Sequence, residues 1–301
     1  MTTKKWDADQ IDDQTGRVAI VTGASSGIGF ETARVLAARN ATVIVAVRNA
    51  EKGERAVERI TARHPGAKAS VSLLDLADLS ATERFATRFK EEHDRLDLLI
   101  NNAGVMMPPH STTRDGFELQ MGTNHMGHFA LTGHLMDLLM RTDGSRVVNV
   151  SSVAHRTGAL DFADLDWKTR RYNPQKSYGD SKLANLYFTY ELERKLAGRP
   201  EGPIVAAAHP GWTATDLQRH SGLFQFLNRF FAQGPTMGAL PTLRAALDPG
   251  VSGGDYFGPS GLLQFKGYPR KVGSNKRSHD REIAAKLWSI SEERTGVRYR
   301  L

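Results

Sequence analysis

The fold of this chain is decided by the stretch Thr22-Gly23-Ala24-Ser25-Ser26-Gly27-Ile28-Gly29. It follows a β-branched run and opens an amphipathic stretch, so it stands between a strand and a helix. There Gly23 permits a tight turn, Gly27 lets the backbone approach a pyrophosphate, and Gly29 allows the helix to pack closely on the strand. The helix N-terminus offers N–H groups to phosphates. The stretch predicts a dinucleotide-binding turn whose cofactor contacts are Gly23, Ser25, Ser26, Gly27, Ile28 and Gly29.

The alternation of strand and helix continues along the chain. Short runs that are too apolar to alternate between faces are typical of strands buried on both sides, and helix-length amphipathic stretches separate them. The predicted strands are Val18–Val21, Thr42–Val47, Ala69–Leu74, Leu96–Ile100, Val147–Val150 and Ile204–Ala208. The predicted helices are Ile28–Arg39, Glu51–Arg63, Ser80–His93, His125–Met140 and Ser181–Leu196. This order predicts an α/β fold, a single doubly wound parallel sheet of Rossmann-like type with helices on both faces.

No linker interrupts this alternation, and 301 residues can bury a full core. We expect one NAD(P)-binding Rossmann-like domain over residues 1–301, with a substrate-loop region near 212–234 and a loop-rich C-terminal region. The apolar stretch Leu223–Phe231 is interpreted either as a lid over a hydrophobic substrate or as ordinary core.

Composition excludes several classes of protein. Cysteine is absent, which excludes disulfides, thiolate metal sites and a cysteine nucleophile. The net charge is +7, but the densest basic cluster, between Lys266 and Arg281, lies among glycines and serines. It is interpreted as a solvated loop rather than a nucleic-acid site, because aromatic residues are not interleaved with it on a regular face.

The chain is also expected to be cytoplasmic and without a metal. Met1–Gln10 lacks the apolar core of a signal peptide, and no run of about 18 apolar residues could form a membrane span. No two histidines have the spacing of a zinc-binding helix beside carboxylates. His125 and His128 are interpreted as helix surface or pocket lining.

The end of the second strand indicates which dinucleotide is bound. An acidic residue about 20 residues beyond the glycine turn would bind the ribose hydroxyls of NAD, but the strand here ends Ala46-Val47-Arg48-Asn49. Arg48 can present its planar fork to an adenosine 2′-phosphate, with Lys52 as a second positive charge and Asn49 beside it. The sequence therefore predicts NADP(H). The alternative is that Arg48 only solvates a strand end, which would leave NAD(H) open.

Further residues follow in an order that resembles the short-chain dehydrogenase/reductase family, over roughly residues 15–247: Asn101-Asn102-Ala103-Gly104, Asn124, Ser151-Ser152, Tyr178-xxx-Lys182 and Pro210-Gly211. Asn102, Ala103 and Gly104 end a strand at the edge where such sheets bind ligands. The resemblance further implies adenine contacts at Asp75 and Leu76. It also implies a loop over the nicotinamide at Pro210 and Gly211, with the hydroxyl of Thr213 or Thr215 on its carboxamide. Capping of the next turn explains Asp75 almost equally well.

Tyr178 and Lys182 are four residues apart, so on a helix they share one face. Hydride transfer to a carbonyl leaves negative charge on oxygen, which requires a proton donor. A neighbouring ammonium and an oxidised nicotinamide would lower the pKa of Tyr178, which is the predicted general acid and base. By resemblance, Lys182 also holds the nicotinamide ribose and Ser152 bonds the substrate oxygen. Asn124 holds a water that links Lys182 to solvent, or else marks a kinked helix.

A rival pair, Tyr172 and Lys176, has the same spacing. Pro174 lies between them and is expected to disrupt a continuing helix, whereas an apolar-striped helix continues after Lys182. The later pair is therefore preferred.

The interval from Ser152 to Tyr178 is longer than in compact family members. That length and Lys182-Leu183-Ala184-Asn185 resemble the branch that includes retinol dehydrogenases and the light-dependent protochlorophyllide reductases. The latter rely on a cysteine, which this chain lacks. The expected substrate is an apolar or aromatic aldehyde, ketone or alcohol.

Two alternative functions are weighed against this one, and the oligomeric state is open. A nucleotide-sensing protein could use the same fold without turnover. An epimerase or dehydratase would need a larger substrate domain than the residues after Leu247 provide. The helices near His125–Met140 and Ser181–Leu196 are candidate homodimer faces by resemblance, although core packing explains their apolar stripes equally well.

Overall fold

The structure, a computed structural model, describes residues 5–213 and 233–301. Its centre is an eight-stranded sheet with strand order β3-β2-β1-β4-β5-β6-β7-β8. The strands are β1 (Val18–Thr22), β2 (Thr42–Val47), β3 (Lys68–Leu73), β4 (Leu98–Asn101), β5 (Arg146–Val150), β6 (Ile204–Ala208), β7 (Tyr256–Pro259) and β8 (Pro269–Lys271). Neighbouring strands from β3 to β7 are parallel, and β8 pairs antiparallel with β7.

Helices of the described ranges cover both faces of this sheet. They are α1 (Gly27–Ala38), α2 (Ala50–Arg63), α3 (Leu79–Glu92), α4 (Leu119–Met121), α5 (Gly127–Met140), α6 (Pro174–Leu196), α7 (Pro235–Leu247) and α8 (Arg281–Thr295). A π-helical turn, Gly122–Met126, joins α4 to α5. No helix in these ranges is both long and apolar enough to cross a membrane.

Successive residues of β1 face opposite sides of the sheet, as the twofold period of a strand requires. Ala19 and Val21 belong to one buried cluster, which α1, α2 and α7 cover. Ile20 belongs to the other, which α3, α5 and α6 cover. The strands β1, β2, β4, β5 and β6 are therefore buried on both faces, which is why their sequences are continuous apolar runs rather than alternating ones. The expectation of burial on both faces is wrong for β3, which lies at the edge of the sheet and whose residues are exposed or partly buried.

The predicted doubly wound parallel sheet with helices on both faces is confirmed, and all six predicted strands and five predicted helices occur. Four observed elements, β7, β8, α7 and α8, lie outside the predicted ones. The two strands are four and three residues long, too short for a hydrophobic period to be visible. Pro241 lies inside α7, where a proline normally argues against a helix. Leu223–Phe231 and Thr215 lie outside the described residues.

The end of the chain packs on the helices that cover the second cluster. Trp288 of α8 contacts Phe129 edge-on, with ring centroids 5.1 Å apart, and Phe188 at 6.0 Å. The hydroxyl of Tyr299 donates to the carbonyl of Phe129 at 2.6 Å. Packing within the chain therefore accounts for the apolar stripes of α5 and α6, one of the two alternatives that the sequence leaves open.

Candidate active site

The turn between β1 and α1 packs closely on the residues that follow β4, and its glycines permit this packing. Gly23 and Gly27 have φ of +67° and +58°, which side chains rarely adopt. A Cβ on Gly23 would lie 2.9 Å from the Cα of Ala103, and one on Gly29 would lie 2.6 Å from the carbonyl of Gly23 and against the amide of Asn102. Ser25, Ser26 and Ile28 complete the turn at the N-terminus of α1, with Ser26 as its N-cap. The turn fits the phosphates of a dinucleotide.

A buried histidine, His128, lies beside the contact between the end of β1 and the residues that follow β4. The hydroxyl of Thr22 accepts from the backbone N–H groups of Asn102 and Ala103, each at 2.9 Å, and lies 2.9 Å from Nε2 of His128. The other ring nitrogen, Nδ1, lies 3.0 Å from the carbonyl of Asn124. Burial lowers the pKa of His128 to about 4, so the ring is neutral at pH 7. Nδ1 then donates to the carbonyl, and Nε2 accepts from the hydroxyl of Thr22.

Arg48 and its neighbours stand at the carboxyl end of β2. Arg48 is exposed and makes no hydrogen bond or ion pair within the described ranges. The side chain of Asn49 accepts from the N–H of Lys52 at 2.9 Å and so caps α2. The guanidinium of Arg48 and the exposed ammonium of Lys52 are thus both able to meet a phosphate at this edge.

The loop after β3 packs directly on the start of α5. Oδ1 of Asp75 accepts from the N–H of Ala77 at 3.0 Å, which is the turn-capping contact given above as the alternative. A Cβ on Gly127 would lie 2.9 Å from the Cβ of Leu76. This close approach requires the glycine and fixes the position of Asp75 and Leu76.

The helix that carries Tyr178 and Lys182 begins earlier than predicted. Asn173 is its N-cap and Pro174 occupies the first turn, where a proline lacks no needed hydrogen bond. As expected, no helix continues from Tyr172 across Pro174, and the proline stands at the start of α6. Tyr172 precedes this helix and does not share a helical face with Lys176.

Burial shifts the pKa values of Tyr178 and Lys182, the two predicted catalytic groups of α6. Tyr178 is 6% exposed, and burial raises its pKa to about 12, against a lowering by its hydrogen bond with Ser152. Burial lowers the pKa of Lys182 to about 8, so its ammonium predominates at pH 7. Nζ donates to the carbonyl of Val150 at 3.0 Å and lies 5.7 Å from the ring centre of Tyr178. Among the protein groups, burial outweighs the lowering expected from Lys182, and the phenol is neutral, the form that can donate a proton.

The two serines that follow β5 point in different directions, as adjacent strand residues do. Ser151 is buried, and its hydroxyl donates to the carbonyl of Lys182 at 2.8 Å. Ser152 faces Tyr178 and accepts from the N–H of Ala154 at 3.2 Å. Nδ1 of His155 lies 2.6 Å from the carbonyl oxygen of Ser152. This second contact further fixes the position of Ser152. Ser152 is therefore the serine that the structure brings to Tyr178.

Asn124 lies inside the π-helical turn, so the backbone has the irregularity that the kinked-helix alternative requires. Its side chain donates to the carbonyl of Val105 at 3.0 Å and to the hydroxyl of Ser181 at 2.9 Å. A Cβ on Gly104 would lie 3.1 Å from Oδ1 of Asn124 and 3.5 Å from Nζ of Lys182. Asn124, Lys182 and the end of β4 therefore meet at one point.

The loop after β6 is held by polar contacts. Gly211 has φ of +68°, and the carbonyl of Pro210 accepts from the hydroxyl of Thr213 and the amide of Gln233, both at 2.8 Å. The N–H of Gly211 donates to Nδ1 of His209 at 3.2 Å. The structure thus places the predicted residues Pro210, Gly211 and Thr213 at the same sheet edge as Ser152.

Histidines are the group that sequence reasoning misjudged. His125 and His128 are 1% and 2% exposed and are core residues rather than surface, because α5 lies between the sheet on one side and the C-terminal residues on the other. His155 and His209 were not singled out at all. Each lies within four residues of a predicted site residue, Asn124, Ser152 or Pro210, and that proximity was the available signal. In the described part of the chain, no group of three histidine or carboxylate side chains could hold a metal ion.

Comparison with known proteins agrees with this geometry. A model of the short chain dehydrogenase family matches residues 17–224. Human retinol dehydrogenase 13 is 41% identical over 94% of this chain and 85% of its own length, and human retinol dehydrogenase 12 is 41% identical over 94% and 88%. An uncharacterized protein from Mycobacterium Paratuberculosis superposes with a TM-score of 0.83 at 43% identity, over 99% of this chain and 100% of that one.

A complex of RhlG with NADP from Pseudomonas aeruginosa has a TM-score of 0.64 at 26% identity, over 80% of this chain and 94% of that one. The family match covers more than half of the chain, and the two human relatives are well above 30% identical over nearly all of it. With the glycine turn, the serine and the tyrosine–lysine pair at one sheet edge, this chain belongs to the short-chain dehydrogenase family, in its retinol dehydrogenase-like branch.

Proposed function

We propose that this protein is an NADP(H)-dependent oxidoreductase that interconverts an apolar or aromatic aldehyde or ketone and its alcohol. The observation that carries the proposal is the buried, neutral phenol of Tyr178, which faces Ser152 and lies beside Lys182 at the sheet edge that also bears the glycine turn. A nicotinamide dinucleotide, when bound, supplies or takes up the hydride. The chain supplies the proton and the contacts to the oxygen.

Each of the four proposed catalytic residues has a distinct task. Tyr178 gives its proton to the carbonyl oxygen in reduction and takes it back in oxidation. Ser152 donates a hydrogen bond to the same oxygen as negative charge develops there. Lys182, cationic at pH 7, favours the phenolate and holds the nicotinamide ribose. Asn124, which meets Lys182 at Gly104, holds the water through which the proton is replaced.

NADP(H) rather than NAD(H) is supported by the residues at the end of β2. Arg48 is exposed and unpaired within residues 5–213 and 233–301, and Lys52 adds a second charge within one turn of α2. The remaining proposed cofactor contacts are Gly23, Ser25, Ser26, Gly27, Ile28, Gly29, Asn49, Asp75, Leu76, Asn102, Ala103, Gly104, Pro210, Gly211, Thr213 and Thr215. The cytoplasmic location and the homodimer stay predictions from the sequence.

Oxidation of NADPH and of NADH over a panel of apolar aldehydes and ketones tests the proposal. Tyr178→Phe should lower turnover on the order of 10²- to 10⁴-fold, the usual contribution of a general acid. Tyr187→Phe is the matched control, because Tyr187 is also in α6 and loses one hydrogen bond to the carbonyl of Arg277, at 3.0 Å. Wild-type turnover by Tyr178→Phe would refute the assignment.

Arg48→Gln tests the choice of cofactor. It should raise the KM for NADPH roughly 10- to 100-fold, as expected for a lost charge-assisted bond of about 1.5–3 kcal/mol, and leave the KM for NADH unchanged. Arg55→Gln is the control, since Arg55 lies in α2, the helix that follows Arg48, and pairs with Glu51 at 3.4 Å. Preference of the wild type for NADH would overturn the assignment of Arg48. NADPH binding without turnover of any substrate would favour the nucleotide-sensing alternative.

A further inference from the structure

Two side chains one helical turn apart, Gln120 and Asn124, hold the backbone that follows Gly104. The N–H of Val105 donates to Oδ1 of Asn124 at 2.8 Å, and its carbonyl accepts from Nδ2 at 3.0 Å. The N–H of Met107 donates to Oε1 of Gln120 at 2.8 Å. We name Val105–Met107 the pinned segment, because side chains of a neighbouring helix fix its main chain at both ends.

The same two side chains also bond α6. Nδ2 of Asn124 donates to the hydroxyl of Ser181 at 2.9 Å, and Nε2 of Gln120 donates to the carbonyl of Pro174 at 2.9 Å. Positions 174, 178 and 181 have the spacing of one helical face, so Tyr178 lies between the two bridges. The two side chains that hold the pinned segment therefore bond α6 at residues on either side of Tyr178 in the chain.

Every polar atom of the Gln120 side chain is used. The residue is 0% exposed, and Nε2 also donates to the hydroxyl of Tyr172 at 2.9 Å. That hydroxyl donates to Oε1 of Glu118, again at 2.9 Å. A buried amide with all its bonds made specifies one arrangement, and its removal would leave several buried groups without partners.

The pinned segment also contains a backbone outlier. Met107 has φ of +52°, a left-handed conformation that is uncommon for a residue with a long side chain. Such a conformation persists where the surroundings determine it, and such residues cluster at ligand sites. The bond from the N–H of Met107 to Gln120 is the contact that holds it here.

We propose that Gln120 is a positioning residue, which holds Val105–Met107 beside Tyr178 as a wall of the substrate site and so selects apolar carbonyl substrates by size. Met106 and Met107 suit such a wall because the methionine side chain is apolar and adapts its shape. Gln120 acts through this segment and does not contact the reacting atoms. The inference rests on the proposed function, since it assigns a wall to that same site.

The test compares Gln120→Met with Gln14→Met. Gln14 is a matched control because it is also buried, at 6% exposed, and its Nε2 donates to the carbonyls of Asp12 and Asp13, but it precedes β1. Three readouts are needed: kcat and KM for a short and a long apolar aldehyde with NADPH, the Kd of NADPH, and hydrogen exchange of a peptide over residues 103–109. Melting curves establish that each variant is folded.

For Gln120→Met we expect faster exchange at Val105 and Met107 and a KM for the long aldehyde raised on the order of tenfold, since a misplacement of about 1 Å costs up to roughly 100-fold. Because Tyr178 and Lys182 are unaltered, kcat and the Kd of NADPH should stay within about threefold. Gln120→Glu keeps the acceptor for Met107 and, when protonated, one donor. The KM of Gln120→Glu for the long aldehyde should therefore be close to the wild-type value at low pH and rise as the pH is raised. A merely structural role would not cause this pH dependence.

Several results would overturn the inference. Faster hydrogen exchange in Gln120→Met without a change in the KM for the long aldehyde would mean that the pinned segment does not shape the substrate site. Equal kinetic changes in Gln14→Met would mean general destabilisation, and unchanged exchange in Gln120→Met would mean that Gln120 does not pin the segment. If the wild type binds NADPH but reduces no aldehyde, the proposed function itself fails, and the substrate wall fails with it.

Discussion

Gly29→Ala sets two opposing effects of known size against each other. Gly29 lies in the first turn of α1, where alanine would favour the helix by about 1 kcal/mol. The added Cβ would, however, lie 2.6 Å from the carbonyl of Gly23 and against the amide of Asn102. That amide donates to the carbonyl of Thr22 at 2.7 Å, and the loss of this bond costs about 1 kcal/mol. Overpacking of a close contact costs roughly 1–3 kcal/mol more.

The steric terms win, and we expect Gly29→Ala to lower the free energy of unfolding by about 1–3 kcal/mol. The displacement of Asn102 should also weaken NADPH binding, because this residue ends β4 at the proposed cofactor site. Urea denaturation measures the first quantity and a fluorescence titration with NADPH the second. Gly273→Ala is the control, since no atom lies within 4 Å of its added methyl group. A Gly29→Ala protein as stable as the wild type, with unchanged NADPH affinity, would refute the close packing of this turn.

Three further perturbations have expected outcomes. The pKa of His128 falls from 6.5 to about 4 on burial, so the unfolded chain binds a proton that the folded one does not. The free energy of unfolding should therefore decrease as pH falls from about 6.5 to about 4, by up to roughly 3 kcal/mol for this group, and His128→Gln should flatten that part of a pH series of urea denaturations. Gly104→Ala should lower kcat while the melting temperature stays close to that of the wild type, because the added Cβ would lie 3.1 Å from Oδ1 of Asn124. A kcat equal to that of the wild type in steady-state assays would contradict this. Trp288→Ala should cost about 3–5 kcal/mol by leaving a cavity against Phe129 and Phe188, and a loss under 1 kcal/mol in urea melts would show that the aromatic packing is loose.

The order of elements could be predicted from the sequence because every strand up to β6, except the edge strand β3, is buried on both faces, and a helix separates each strand from the next. The choice of Tyr178 over Tyr172 also followed from local rules, since no helix continues from Tyr172 across Pro174. The networks around His128 and Gln120 could not be predicted. Their partners are 106 and 13 residues away in the chain, and no local pattern encodes such pairs.

Local rules also misjudged the electrostatics of the site. Spacing predicted that the ammonium of Lys182 lies near the phenol of Tyr178, and it does lie 5.7 Å from the ring centre. Spacing carries no information on burial, however, and burial raises the pKa of Tyr178 to about 12 and lowers that of Lys182 to about 8. A sequence motif thus specifies which groups meet, while the surrounding fold sets their pKa values.

The packing of α8 against α6 has a consequence for the synthesis of the protein. Ala284 and Leu287 share a buried cluster with Leu183 and Tyr187 on the helix that carries Tyr178. A ribosome makes α8, which begins at Arg281, well after the helix of Tyr178, which ends at Leu196, so a nascent chain exposes this apolar surface until α8 has been made. The helix of Tyr178 can therefore reach its final surroundings only after α8 has been made, and chains that stop before Arg281 should be captured by chaperones or degraded rather than accumulate as shortened enzyme.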